Sequence, residues 1–474
     1  MKQGLNLVGL LIQMTNKIIT RFAPSPTGTL HIGGARTALF AWLFAKSHQG
    51  KCLLRIEDTD LERSKPEYTK AIIDSFAWMD IKFDEEVFYQ SNNKEKHLST
   101  VNSLVESHKA YFCNCSSERL NKLREKQQKE GLKPKYDGKC RDLDLKEGSD
   151  TVVRFRNPQE GAVQFTDIVK GVIEISNKEL DDLILVRSDG TPTYNLCVVV
   201  DDIDMDITHV IRGDDHINNT PRQINIFRAL EVKEPIYGHV PMILGEDGKR
   251  LSKRHGAVGV TEYERLGVLP DALKNYLVRL GWSLGDQELF DHEELINKFK
   301  EGNINNSPSA FSLEKLSWFN KEYISKIESG HLLSLLCCMD NQFLEDEYSL
   351  NVLELIRDRC SLMNDFSKES EYFFKDIEGY DSKAVKKFIN EQAVNLLVEL
   401  LEELNSISTW KASNIQHAIE DILSKHEVGF GKVGLPLRIA LTGSTNSPSI
   451  DKTAEVLGQT VVIERIEKAI KQFS

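Results

Sequence analysis

Two short segments carry residue types suited to phosphate chemistry. The first, residues 24–34 (PSPTGTLHIGG), combines two prolines, three glycines and His31. Glycines at such a point let a backbone approach a ligand closely. A helix starting there would offer free N–H groups and its positive end to an anion, and His31 can donate to a phosphate in either protonation state. A Gly-rich turn around a buried histidine would read the same way. The second segment, residues 245–256 (GEDGKRLSKRHG), places Lys249, Arg250, Lys253 and Arg254 within six positions, flanked by Gly248 and Gly256. Such a run suits a mobile cationic clamp better than a core, although an exposed basic loop would look identical. Phosphoryl and nucleotidyl transfer need little covalent help, only charge aimed where the transition state develops it.

Both segments need a scaffold that holds turns at strand ends. Residues 18–22 form a β-branched strand, 23–34 a turn, 35–47 an amphipathic helix and 51–56 a second strand, followed by a helix at 66–79. This strand–loop–helix–strand order opens a parallel, doubly wound α/β sheet. Across 88–186 the pattern changes to short strands such as 151–155 and 171–175, which predicts an insertion. Strand character returns at 196–200 and 208–212, with a helix at 221–230. Beyond residue 260, stretches 270–280, 292–298, 312–320, 331–340, 350–360 and 383–404 show helical spacing of apolar residues. The expected fold class is therefore α/β: a parallel-sheet catalytic domain with an α+β insertion, followed by an all-α C-terminal half.

The 474 residues suggest about three to five domains. With 40% hydrophobic and 28% charged residues, the composition is that of a soluble globular protein. No apolar run approaches the ~18 residues that span a bilayer, so no membrane segment is expected. Residues 1–16 contain an apolar patch with only Lys2 as a basic residue, broken by Gly9, and Met14 precedes the first strand. They read as a dispensable N-terminal extension. The eight cysteines are scattered apart from Cys113, Cys115 and Cys140 and the pair Cys337–Cys338. That usage indicates a reducing, cytoplasmic setting in which a cysteine cluster binds metal. The net charge of −12 argues against nucleic acid as a partner, yet residues 118–141 hold nine basic side chains against four acidic ones. A solvated helix with i,i+4 pairs is the alternative for that stretch.

HIGG and KRLSK, in this order and separation, resemble the two signature sequences of class I aminoacyl-tRNA synthetases, usually written HIGH and KMSKS. Gly34 departs from the common His, and glycine is what the glutamyl branch usually carries there. FAPSPTG (22–28), RIEDTD (55–60), SDGTPTYN (188–195), VIRGDDH (210–216) and GKVGLPLRIALTG (431–443) all resemble bacterial glutamyl-tRNA synthetases. The resemblance covers nearly all of the chain from residue 17. It implies a Rossmann-type catalytic domain over 17–87 and 188–257, an acceptor-end-binding insertion over 88–187, a helical stem-contact domain over 258–330 and a helical anticodon-binding domain over 331–474.

The resemblance also implies a reaction. L-glutamate and ATP, with Mg²⁺, form glutamyl-adenylate, and the glutamyl group then passes to the 3′ end of tRNA(Glu). Whether tRNA(Gln) also accepts glutamate is left open, and a monomer is the family expectation. ATP would meet Pro24, Ser25, Thr27, Gly28, His31, Gly33, Gly34, Lys249, Ser252 and Lys253, with Lys253, His31 and Lys249 as the catalytic groups. Glutamate would meet Arg21, Ala23, Ser25, Glu57, Tyr194 and Arg212, since arginine matches a carboxylate bidentately and a tyrosine closes a pocket with a polar handle. A structural ion pair is the alternative for Glu57 and Arg212. Cys113, Cys115 and Cys140 resemble the family's zinc module, with Tyr136 or Asp142 as the fourth Zn²⁺ ligand.

Overall fold

The computed structural model describes residues 18–60, 62–251 and 259–474. Residues 1–16, read above as an extension, lie outside the described residues. The chain divides into two compact units, one ending at Leu313 apart from a short excursion and one formed mainly by Glu314–Ser474.

In the first unit, β1 (Ile19–Phe22) and β2 (Lys51–Ile56) pair in parallel, and β2 pairs in the same sense with β3 (Phe88–Tyr89). Between β1 and β2 lies the helix Ile32–Ser47, buried along most of its length by its FAWLFA core. A helix apolar all round belongs inside a domain. The parallel strands it joins are buried too, as crossover connections require.

An insertion follows. In it β4 (Ala110–Cys113), β5 (Val152–Phe155) and β8 (Ile184–Val186) form an antiparallel sheet, and β6 (Ala162–Asp167) and β7 (Gly171–Ser176) form a hairpin. The parallel sheet then resumes with β9 (His209–Gly213) and β10 (Ile236–Val240). Thr208 donates its N–H to the carbonyl of Ile19 at 2.9 Å, which brings β9 alongside β1. Val163 of the hairpin packs against Ile19, Leu53, Val210 and Tyr237, so the hairpin shares the core of the parallel sheet. Two short strands, β11 (Ile243–Leu244) and β12 (Ser309–Ala310), pair in parallel.

The α/β class with an inserted α+β module and a helical C-terminal half holds. Two elements differ from the pattern-based expectation. Residues 196–200 are not a strand but lie within the helix Tyr194–Asp204. A short, continuous apolar run cannot distinguish a buried strand from a buried helix, and three consecutive valines favoured the wrong choice. The stretch 383–404 is two helices, Ser382–Phe388 and Glu391–Ser406. Asn390 restarts the chain by accepting the N–H of Ala393 at 2.9 Å, as an N-cap does.

In the second unit the helices Glu391–Ser406, Ala412–Lys425, Ile450–Leu457 and Gln459–Phe473 bury one leucine- and isoleucine-rich face each. No described helix is long and apolar enough to cross a membrane.

Candidate active site

The turn after β1 ends where His31 caps the helix Ile32–Ser47 in an extended conformation. The imidazole Nδ1 accepts the N–H of Gly34 at 3.1 Å. In the neutral ring this leaves the proton on Nε2, free to donate to a ligand at the helix N-terminus. Desolvation in the cleft, with a contribution from the Arg250 guanidinium and against the pull of Asp215, holds His31 below its ordinary pKa. A side chain at Gly33 would press on this ring, since its Cβ would stand 3.1 Å from Nδ1.

The chain just beyond the second segment reaches the same place. Gly259 bridges to His31, and Val260 donates its N–H to the carbonyl of Leu30 at 2.9 Å. On the entry side Gly245 donates its N–H to Lys249 at 2.8 Å, closing a turn in which Gly248 takes φ +71°. That left-handed conformation favours glycine. Lys249 is exposed on this turn. Ser252 and Lys253 lie outside the described residues. Pro24 and Gly28 are half-buried, Ser25 and Thr27 exposed, and Ala23 half-buried. The loop is pinned to β2 where Glu57 donates its N–H to the carbonyl of Pro24 at 3.0 Å.

Next to this turn, β1, β2 and the helix Tyr194–Asp204 bring buried charges together. Arg21 on β1 donates through Nε to Asp202 at 3.1 Å, and Arg55 on β2 donates to the same oxygen at 2.6 Å. Arg55 also lies 3.4 Å from Glu57. Burial pushes the Glu57 carboxyl up, and Arg55 and Arg21 oppose that shift. For Asp202 the balance falls the other way. Burial again opposes ionisation, but Arg21 and Arg55 outweigh it and hold the carboxyl below its usual range. Asp202 therefore anchors two arginines whose strands lie side by side.

Arg212 on β9 differs. Its Nε and Nη2 meet only neutral groups: His239 at 3.2 Å, the Thr220 hydroxyl at 2.8 Å and the Gln223 amide oxygen at 2.9 Å. Nη1 is buried with no partner among the described residues. No carboxylate pairs with it there, and burial lowers its pKa. The alternative of a Glu57–Arg212 ion pair is not what forms, because the ion pair of Glu57 is with Arg55. A buried guanidinium without a counter-charge is costly and calls for an anion. Tyr194 stands at the start of its helix with its hydroxyl 3.1 Å from His216 Nδ1. Desolvation raises the pKa of this phenol, and it feels Glu57, Arg212 and Arg21 together, so these four side chains lie near one another.

A family sequence profile described as "tRNA synthetases class I (E and Q), catalytic domain" matches residues 17–318, and an "Anticodon binding domain" profile matches residues 313–470. The chain belongs to the class I tRNA synthetases of the E and Q group. Among solved structures, a glutamate tRNA ligase from Elizabethkingia meningosepticum, crystallised with its amino acid, is 30% identical. It aligns over 97% of this chain and 100% of its own with a TM-score of 0.88. A glutamate-tRNA synthetase from Elizabethkingia anophelis, also 30% identical, aligns over 96% and 100% with a TM-score of 0.84. As a class I synthetase the chain acts on an amino acid, ATP and tRNA.

The insertion of this synthetase brings the predicted thiols together. The sulfurs of Cys113, Cys115 and Cys140 all lie within 4.8 Å of one another. Tetrahedral zinc with Zn–S of about 2.3 Å separates its sulfurs by roughly 3.8 Å, so the donor set fits. The Tyr136 hydroxyl lies 3.4 Å from Cys113 and 3.5 Å from Cys115, and it accepts the N–H of Cys140 at 2.9 Å. Asp142 instead has an 84% exposed side chain paired with Arg156 at 2.9 Å. Burial opposes ionisation of Cys113, but donors from Tyr136, the Cys115 backbone and Arg154 bring the thiol down to about 7. The basic stretch begins in the helix Ser117–Lys129, which buries no residue and carries the pair Lys122–Glu118 at 2.6 Å.

Sequence reasoning missed Asp202, Arg55 and the neutral partners of Arg212. One signal existed. Asp201 and Asp202 follow an unbroken apolar run, and acids in such a place are buried only with partners.

Proposed function

We propose that this chain is a glutamate–tRNA ligase. It forms glutamyl-adenylate from L-glutamate and Mg²⁺-bound ATP, and then passes the glutamyl group to the terminal ribose of tRNA(Glu). The observation that carries the reading is the buried Arg212 cation, whose Nη1 has no partner among the described residues, near Glu57, Arg21 and Tyr194. Glutamate has two carboxylates and an ammonium. Arg212 and Arg21 take the carboxylates, Glu57 attracts the ammonium, and Ser25, Ala23 and Tyr194 complete the wall. The substrate carboxylate is itself the nucleophile, so no side-chain base is required. His31 and the helix N-terminus hold the phosphates, Lys249 assists, and Lys253 stabilises charge as pyrophosphate departs. Catalysis here is positioning plus electrostatics.

The domain roles follow the same reading. Residues 88–187 take the acceptor end, 258–330 the stem and 331–474 the anticodon. All eight cysteines are unbridged, which fits a reducing, cytoplasmic setting, and a monomer is the family expectation. Zinc, bound by Cys113, Cys115, Cys140 and Tyr136, would brace the insertion as a structural ion. Protein purified without chelator should hold about one zinc equivalent by metal analysis, and Tyr136→Phe should lower that content while Asp142→Ala leaves it unchanged. Less than about half an equivalent in the unaltered protein would count against the site.

Glutamate-dependent ATP–pyrophosphate exchange, with and without tRNA, tests the function. Exchange that requires glutamate and appears at least in the presence of tRNA supports it. Its absence in both arms rejects it. Charging assays with purified tRNA(Glu) and tRNA(Gln) define the acceptor range.

A further inference from the structure

Arg212 is useful to a carboxylate only if its guanidinium is held at one angle, and the groups that hold it lead away from the pocket. Its Nε donates to His239 Nε2 at 3.2 Å. An arginine Nε can only donate, so Nε2 must present a lone pair. The ring proton then resides on Nδ1, which faces the Asp167 carboxylate at 2.6 Å. Asp167 also accepts the His239 backbone N–H at 3.1 and 3.2 Å. His239 and Asp167 are both fully buried. The Thr220 hydroxyl, 2.9 Å from Nε2 and 2.8 Å from Arg212 Nη2, closes the ring of contacts. Tyr237, stacked on the His239 ring, lies beneath the guanidinium at 5.4 Å.

We infer that Asp167 and His239 are positioning residues, which fix one histidine tautomer and through it aim the free Nη1 of Arg212 into the amino-acid pocket. The carboxylate of Asp167 holds the proton on Nδ1, and the bare Nε2 takes the Arg212 Nε–H. With Nε and Nη2 occupied on one edge, Nη1 alone is left for the substrate. Asp167 ends β6 of the inserted hairpin, so the insertion supplies the first member of a chain that ends at the substrate carboxylate. This rests on the reading that Arg212 binds glutamate.

The test is steady-state exchange by the full-length enzyme in the presence of tRNA, with KM measured for glutamate and for ATP. His239→Asn can keep a donor toward Asp167 but has no acceptor at the Nε2 position. It should raise the glutamate KM about tenfold or more while the ATP KM stays within about twofold. His239→Gln, whose amide oxygen reaches the Nε2 position, should recover most of that loss. Should His239→Asn lack a cooperative melting transition, Asp167→Asn carries the test, since it frees the ring to place its proton on Nε2 and should give the same KM split. A glutamate KM within twofold of the unaltered enzyme overturns the inference, as does a parallel rise in both KM values or a failure of His239→Gln to recover. No exchange by the unaltered enzyme would instead overturn the reading on which the inference rests.

Discussion

Arg212→Ala should reduce kcat/KM for glutamate by about 100-fold or more while the KM for ATP changes by no more than a few-fold. The guanidinium is buried, and among the described residues it has no carboxylate and one of its nitrogens has no partner. On the proposed reading a substrate carboxylate completes it. A hydrogen bond to a charged group is worth about 1.5–3 kcal/mol, and two lost together would exceed the roughly 2.7 kcal/mol that corresponds to 100-fold. The proposed ATP site, at the turn and the helix capped by His31, contains none of the hydrogen-bond partners of Arg212, so the two substrates should separate. Steady-state exchange with each substrate varied in turn measures this. Equal effects on glutamate and ATP would remove Arg212 from the amino-acid site.

Lys253→Ala should slow adenylate formation more than tenfold, above about 1.4 kcal/mol of barrier, with little change in glutamate affinity. Lys253 lies outside the described residues, and the expectation rests on its sequence and on the anchors either side. Leu251 donates its N–H to Ile243, and Val260 pairs with Leu30 beside His31, so the chain leaves and re-enters the site at fixed points. In the proposed role Lys253 offsets charge as it shifts from the α-phosphate to the leaving pyrophosphate. Single-turnover adenylate formation reads the effect. An unchanged rate would take Lys253 out of the mechanism.

Much of the fold was legible because local patterns and tertiary burial agreed. Lys51–Ile56 reads as a buried strand and is one. The helix before it begins at Ile32 rather than residue 35, because His31 caps it and the two glycines are its first turn. Where burial removed periodicity, the reading failed. Residues 196–200 are apolar on every side, and only the helix reveals that Tyr194, Val198, Asp201 and Asp202 recur at the spacing of one face. Read as a strand, the segment gave no reason to expect Asp202 beneath Arg21 and Arg55. The site residues followed a similar division. Glycine turns and clustered cations are local signals, whereas the Arg212–His239–Asp167 chain joins positions 27 and 72 residues apart. A single histidine in YGHVP carries no mark of that partnership. The choice between Tyr136 and Asp142 was likewise open in the sequence. The two differ in where the fold puts them, one against the thiols and the other facing solvent beside Arg156.

In the proposed reaction a buried cation without a counter-charge among the described residues selects the amino acid. Charging of purified tRNA(Glu) with labelled glutamate and labelled glutamine, at matched concentrations with ATP and Mg²⁺, tests it most directly. If Arg212 takes the side-chain carboxylate and Arg21 the α-carboxylate, a neutral side-chain amide leaves Arg212 without its counter-charge, and a site built for a polar partner rejects the analogue that lacks it. Glutamate should be esterified to tRNA with kcat/KM at least about 100-fold above that for glutamine. Charging with glutamine as efficient as with glutamate, or no charging with glutamate, would contradict the account.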